Sequence, residues 1–294
     1  MISSREIEKE TNSLASLSQV KSLLQRHDLH LSKRLGQHFL IDDNIRKNII
    51  AAADIKPDDI ILEIGPGIGT LTELIAKECD LLIAIELDKR LEPILRETTK
   101  GLDNMRLFMG DALKLNIKEL VDQERLPNKL ISNLPYNISS TLLIRYLEEL
   151  EFLNDYTVMI QKEVANRIVA KPGSKDYGAF TIKLSFLATI DHKFNISKSV
   201  FIPAPNVESS VISLKRRRQV DSRHRKKLFN LIEASFNQRR KKLVNSINDN
   251  IGLKKEVILR ALSEIEISGD VRAEVLSPND YESLLEAIEK NKKL

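Results

Sequence analysis

Three glycines fall within five residues of Asp59-Ile60-Ile61-Leu62-Glu63-Ile64-Gly65-Pro66-Gly67-Ile68-Gly69-Thr70-Leu71-Thr72, directly behind an apolar run. No other stretch constrains the fold as strongly. Ile60, Ile61, Leu62 and Ile64 are apolar, mostly β-branched and of strand length, interrupted by one acid. From Leu71 the spacing Leu71, Leu74, Ile75 is helical. The pattern is strand, tight turn, helix. Glycines at such a turn let the backbone take dihedrals closed to other residues and let a ligand lie against the main chain. The helix that follows offers unpaired N–H groups and a partial positive charge.

Three ligand classes use this geometry, and spacing separates them. A phosphate-binding loop needs a Gly-Lys-Ser/Thr ending, which is absent. The dinucleotide fingerprint is G-x-G-x-x-G. Here the glycines stand at 65, 67 and 69, so the third comes one residue early and Thr70 takes its place. With Glu63 leading, E-x-G-x-G-x-G instead resembles the first motif of S-adenosylmethionine-dependent methyltransferases, which places Gly65 and Gly67 against the methyl donor.

The rest of the chain alternates strands and helices. Residues 81–85 read as a second strand ending at Glu86, whose carboxylate falls where both ribose hydroxyls of an adenosyl group would donate to it, about 20 residues beyond the glycines. A third strand, Met105–Met109, ends in Gly110-Asp111-Ala112, where Asp111 serves either as acceptor for the adenine amine or as a helix cap. Residues 130–132 form a short fourth strand, 156–160 a fifth, and 183–187, 189–194 and 207–214 read as further strands. Helices are expected over 71–78, 142–150 and 162–170. The fold class is therefore α/β, a doubly wound, mostly parallel Rossmann-like sheet of the class I methyltransferase kind, with a small all-helical C-terminal domain. The expected division is an N-terminal extension over 1–30 with an amphipathic helix, a methyltransferase domain over 31–217, and a helical RNA-binding domain over 218–294.

Composition sets the outer bounds. The 294 residues, 42% hydrophobic and 30% charged, suit an ordinary globular chain, and a net charge of +4 says little about partners by itself. Cys79 is the single cysteine, so intramolecular disulfides and thiolate metal clusters are excluded, and no metal site is expected from the five histidines. With no apolar run of membrane-spanning length, a cytoplasmic setting is expected. Charge distribution says more than net charge. Arg216, Arg217, Arg218, Arg223, Arg225, Arg239 and Arg240, with neighbouring lysines, face few acids, and this one-sided clustering points to phosphate binding.

Asn133-Leu134-Pro135-Tyr136 carries the chemistry. An exocyclic adenine amine is a poor nucleophile because its lone pair is conjugated into the ring. The Asn133 amide oxygen and the Leu134 carbonyl are suited to accept the two amine hydrogens and favour the pyramidal form. Pro135 restricts the loop, and Tyr136 is suited to stack on the purine face. No strong base is required, since alignment and preorganised dipoles supply the rate. Phe201, in the proline-stiffened Phe201-Ile202-Pro203-Ala204-Pro205, is suited to close the opposite face.

Taken with Leu35-Gly36-Gln37-His38-Phe39-Leu40 and Gln161-Lys162-Glu163-Val164, these motifs resemble those of the bacterial small-subunit ribosomal RNA adenine dimethyltransferases over nearly all of residues 30–294. The resemblance implies cofactor contacts at His38, Leu40, Gly65, Glu86, Asp111 and Asn133, and base stacking by Tyr136 and Phe201. It implies transfer of methyl groups from S-adenosylmethionine to N6 of two adjacent adenines near the 3′ end of that RNA. It also implies a 30S precursor particle as partner and a late assembly checkpoint; nothing in the sequence suggests more than a monomer. Many members have asparagine where His38 stands. Two alternatives remain: a large-subunit RNA adenine methylase, and an assembly factor whose essential act is binding. A nicotinamide-dependent oxidoreductase is disfavoured by the glycine spacing.

Overall fold

The computed structural model describes residues 14, 16–30, 37–121, 124–217, 221–238 and 240–291. Helix α1 (Leu17–Arg26) starts where the Ser16 hydroxyl accepts from Gln19 N–H. It buries Val20 and Leu23 against Phe39, Ile68, Leu91, Ile94 and Leu95. Each such side chain withdrawn from water is worth roughly 2 kcal/mol, so the expected amphipathic helix packs on the body. A two-residue strand, β1 (Phe39–Leu40), leads to α2 (Asp43–Ala53), capped by the Asp42 carboxylate on Ile45 N–H.

The alternating part follows: β2 (Ile60–Ile64), α3 (Thr72–Glu78), β3 (Leu81–Glu86), α4 (Glu92–Thr98), β4 (Met105–Met109), β5 (Lys129–Asn133), α5 (Ser139–Glu149) and β6 (Asp155–Gln161). Beyond it come α6 (Lys162–Ile168), α7 (Ala179–Leu187), β7 (Ala188–Ile196), β8 (Phe201–Ile202) and β9 (Ser209–Arg216). The seven-stranded sheet runs β4-β3-β2-β5-β6-β9-β7; β4 to β6 are parallel, and β9 pairs antiparallel with β6. All six residues of β3 are buried, as a parallel strand covered on both faces requires. From β2 the chain goes to β3 and β4 on one side and returns to β5 on the other. The strand order therefore reverses between β2 and β5, and ligands of open α/β sheets bind beyond the strand ends at such a reversal. Leu62 pairs with Leu130, and the Ser132 hydroxyl donates to the Ile64 carbonyl. Gly65 and Asn133 thus leave the sheet side by side.

Two expectations need correction. Residues 183–187 lie in helix α7, not a strand. Its buried residues Thr181, Ile182, Leu184 and Leu187 form a helical face, whereas the apolar alternation 182, 184, 186 imitates a period of two. The chain also divides into two compact units, one of residues 1–165 and 191–216, the other of 166–190 and 217–294. Residues 166–190, expected in the methyltransferase part, therefore group with the C-terminal helices α8 (Ser222–Phe236), α9 (Leu243–Ile251), α10 (Lys255–Glu264) and α11 (Pro278–Asn291). They are held there by the Lys183–Glu233 ion pair and by the Tyr177 hydroxyl, which donates to the Leu276 carbonyl at 2.9 Å.

Candidate active site

The turn after β2 makes the floor of a cavity of about 250 Å³. Gly65, Gly67 and Gly69 have φ of +70°, +66° and +88°, the left-handed region that costs an L side chain energy. Space is short as well: a Cβ at Gly67 would lie 2.9 Å from Phe39 Cε1, so the ring would have to move, and one at Gly65 would lie a tight 3.3 Å from Pro135. The turn is thus pressed between the strap 37–40 and the 133–136 loop. With no side chain at Gly65 or Gly67, it is their backbone that lines the cavity.

Glu86 closes the cavity from the end of β3. It is buried, and its two carboxylate oxygens accept from Gly67 N–H at 3.1 Å and Asp88 N–H at 2.8 Å. Burial pushes its pKa up, and the backbone donors oppose that. Each oxygen retains acceptor capacity for a sugar hydroxyl. Asp111 lines the cavity, and its Oδ1 accepts from Leu113 N–H at 3.0 Å within a turn that no α-helix continues. Glu63, also in the lining, is held by the Thr72 hydroxyl at 2.8 Å. Burial first, and then the neighbouring Glu86 charge, raise its pKa to about 8.

Asn133 ends β5, and its Nδ2 donates to the His38 carbonyl at 3.2 Å, which leaves Oδ1 as the acceptor side of the amide. Leu134 is buried, with its N–H given to the Met159 carbonyl. Pro135 packs on Gly65. The Tyr136 hydroxyl bonds Ser209 Oγ at 2.6 Å, burial keeps the phenol neutral, and its ring stacks on the His38 imidazole. Asn133, Leu134, Pro135, Tyr136, His38, Gly65, Gly67, Glu86 and Asp111 all line the one cavity.

Two named site residues do not. Phe201 is 3% exposed and sits in the core cluster with Leu40, Met159 and Val211. In β8 it pairs antiparallel with Leu40 of β1, and that pairing turns both side chains into the core. Neither lines the cavity. Sequence reading missed Gln37, Phe39 and Leu87 in the lining; Phe39 and Gln37 were legible only as neighbours of His38.

The basic stretch also sorts itself. Arg216 is not a free cation. Its guanidinium donates to the carbonyls of Tyr146, Leu147, Leu150 and Leu153 and to the Tyr156 hydroxyl, closing the C-terminal end of α5. These carbonyls belong to the last turn of α5 and the segment just beyond it, where a helix leaves acceptors to be satisfied, so its expected RNA contact is corrected to a structural role. In the second unit, Arg217, Arg223 and Arg240 are exposed and Arg225 half-buried, and none has an ion pair among the described residues. Lys227, Lys241 and Lys242 are paired with Glu289, Asp249 and Asp270. Arg218 and Arg239, and residues 32–36, lie outside the described residues.

Among the described residues no cluster of three His, Cys, Asp or Glu is arranged to hold a metal ion, and no helix is long and apolar enough to cross a membrane.

Comparison with known proteins matches residues 29–290 to the family model described as ribosomal RNA adenine dimethylase. A ribosomal RNA small subunit methyltransferase A of Clostridioides difficile is 41% identical over 276 residues, 92% of this chain and 95% of that protein. One from Alkaliphilus metalliredigens is 38% identical over 280 residues, 94% and 98% of the two chains. A solved dimethyladenosine transferase from Plasmodium falciparum is 25% identical, with a TM-score of 0.72 over 86% of this chain and 98% of that one.

Proposed function

The chain belongs to the ribosomal RNA adenine dimethylase family, and we propose that its adenine is held and methylated at the 133–136 loop beside the glycine cradle. The enzyme transfers methyl groups from S-adenosylmethionine to the N6 amines of adenines in small-subunit ribosomal RNA; two adjacent adenines near the 3′ end are the proposed targets. When bound, the cofactor supplies an electrophilic methyl group on a sulfonium. Gly65 and Gly67 would hold it by close backbone approach, Glu86 by its carboxylate on the ribose, and Asp111 and Asn133 by side-chain polar atoms.

The loop does the rest. Asn133 Oδ1 and the Leu134 carbonyl accept the two amine hydrogens and draw the nitrogen lone pair out of conjugation. Tyr136 stacks on the purine. The proton lost after transfer needs no dedicated base, because a methylated, positively charged N6 is a strong acid. The single observation that carries this reading is the junction of β2 and β5, where the Gly65 turn and Asn133 emerge side by side. Labelled S-adenosylmethionine should pass its methyl group to immature small-subunit particles. Asn133→Ala should lower the rate by about 10²–10³-fold, the scale for losing one preorganised dipole. Transfer to large-subunit RNA alone would refute the substrate.

The exposed arginines Arg217, Arg223 and Arg240, with the half-buried Arg225, support RNA binding by the second unit; a monomer and an assembly checkpoint in the cytoplasm are proposed alongside it. A Glu86→Ala protein that still binds particles and supports their maturation would establish that role. Lost maturation with binding intact would refute it.

A further inference from the structure

The turn that follows β4 carries Asp111, and it is tied down at three points. Gly110 N–H donates to the Glu86 carbonyl at 2.8 Å. Lys114 and Leu115 N–H both donate to the Asp111 carbonyl, at 2.8 and 2.9 Å. The third tie comes from a distant element: the Tyr146 hydroxyl, on helix α5, donates to the Ala112 carbonyl at 2.9 Å. The first two ties use main-chain groups that almost any sequence offers. The third is a side chain, so it is a choice made by this sequence. We propose that Tyr146 is a positioning residue for methyl-donor binding, its hydroxyl holding the 110–112 turn so that the Asp111 carboxylate meets the donor's adenine amine. This rests on the reading of Asp111 as acceptor for that amine.

Burial makes the tie firm. Tyr146 is 2% exposed and Ala112 5%, so breaking the bond would shut two polar groups away from solvent without a partner, which costs more than an ordinary hydrogen bond is worth. Burial first, opposed by the Arg145 charge and assisted by that of Asp111, raises the phenol pKa; the hydroxyl keeps its proton and donates. The rest of α5 keeps the tyrosine still. At its start Leu142 N–H donates to the Ile138 carbonyl at 2.8 Å. At its end the carbonyls of Tyr146, Leu147 and Leu150 are held by Arg216. The helix that leads out of the 133–136 loop therefore reaches the Asp111 turn as well, about two turns further on. Ala112 lines the cavity beside Asp111. A shift of its carbonyl would turn the peptide next to Asp111 and swing the carboxylate, whose Oδ1 is already committed to Leu113 N–H.

Removing a single oxygen tests this. Calorimetry of Tyr146→Phe with S-adenosylhomocysteine, the donor without its methyl group, should show Kd raised about 3- to 10-fold, the worth of one hydrogen bond. In S-inosylhomocysteine an oxygen replaces the adenine amine, so Asp111 has no amine to accept from. For that ligand the same variant should stay within about twofold of the parent. The parent's preference for the first ligand over the second should thus shrink by about 3- to 10-fold. In an Asp111→Ala background Tyr146→Phe should change neither Kd, because two residues acting through one contact are not additive. Tyr146→Leu, which also gives up the packing of the ring, should unfold more readily and show the same lost preference. An unchanged preference, or equal weakening toward both ligands, overturns the proposal, since the hydroxyl would then only stiffen the fold. A parent protein that binds both ligands alike would refute the Asp111 reading itself, and the proposal with it.

Discussion

At the scale of single residues, the site is set by side chains whose environment fixes their charge. Glu63 is the clearest. Buried and next to Glu86, it has a folded-state pKa near 8 against about 4.5 when unfolded. Because the folded value is raised, the stability tied to its proton is fully present below pH 4.5. It is lost as pH climbs through the window up to about 8. Above that both states are ionised and the loss is complete. Glu63→Gln retains an acceptor for Thr72 and has no proton to lose. Its stability relative to the parent should therefore rise from pH 5 to pH 9, by at most about 5 kcal/mol at ~1.4 kcal/mol per unit. Chemical denaturation at several pH values reads this directly, and parallel pH profiles for the two proteins would show that Glu63 is ionised throughout. Gly67 makes the complementary point by having no side chain: positive φ and the 2.9 Å approach to Phe39 both oppose a Cβ.

At the scale of elements, what was legible and what was not divides by sequence distance. The β2 turn was readable because strand, glycines and helix are contiguous, and Glu86 because it closes the next strand. The fate of Phe201 was not readable: it depends on β8 pairing with β1, more than 150 residues away, and an aromatic in a proline-stiffened loop looks the same whether it clamps a base or fills a core. Helix α7 was missed because its apolar residues satisfy periods of both 2 and 3.6, and packing on α8 chooses between them. Arg216 was misread for a similar reason. A run of four basic residues gives no sign that the second one folds back over the carbonyls of α5. That finding has a measurable consequence. Arg216→Met should destabilise the protein by about 2–3 kcal/mol, the cost of leaving buried carbonyls without a charged donor, while RNA affinity of the folded fraction stays unchanged. A loss of RNA affinity with unaltered unfolding would return Arg216 to the binding surface.

For the whole molecule, the proposed function gives the two compact units chemically different tasks, and that division can be tested in the intact chain. Phosphate contacts release counterions, so each one contributes about 0.7–0.9 to the slope of log affinity against log salt. Arg223, Arg225 and Arg240 belong to the unit of 166–190 and 217–294; the cavity belongs to the other. The triple charge-neutral variant Arg223→Gln, Arg225→Gln, Arg240→Gln should flatten the salt dependence of particle binding by about 2–3, with S-adenosylmethionine Kd unchanged. Asn133→Ala should do the reverse, keeping the parent slope while turnover collapses. If the triple variant kept the full slope, the phosphate contacts would have to lie on other groups. In the proposed arrangement Tyr136 would stack on any purine, and Asn133 and Leu134 would read only its amino edge. Such a pocket would not tell one adenine from another, which is why the choice of site is proposed for the second unit.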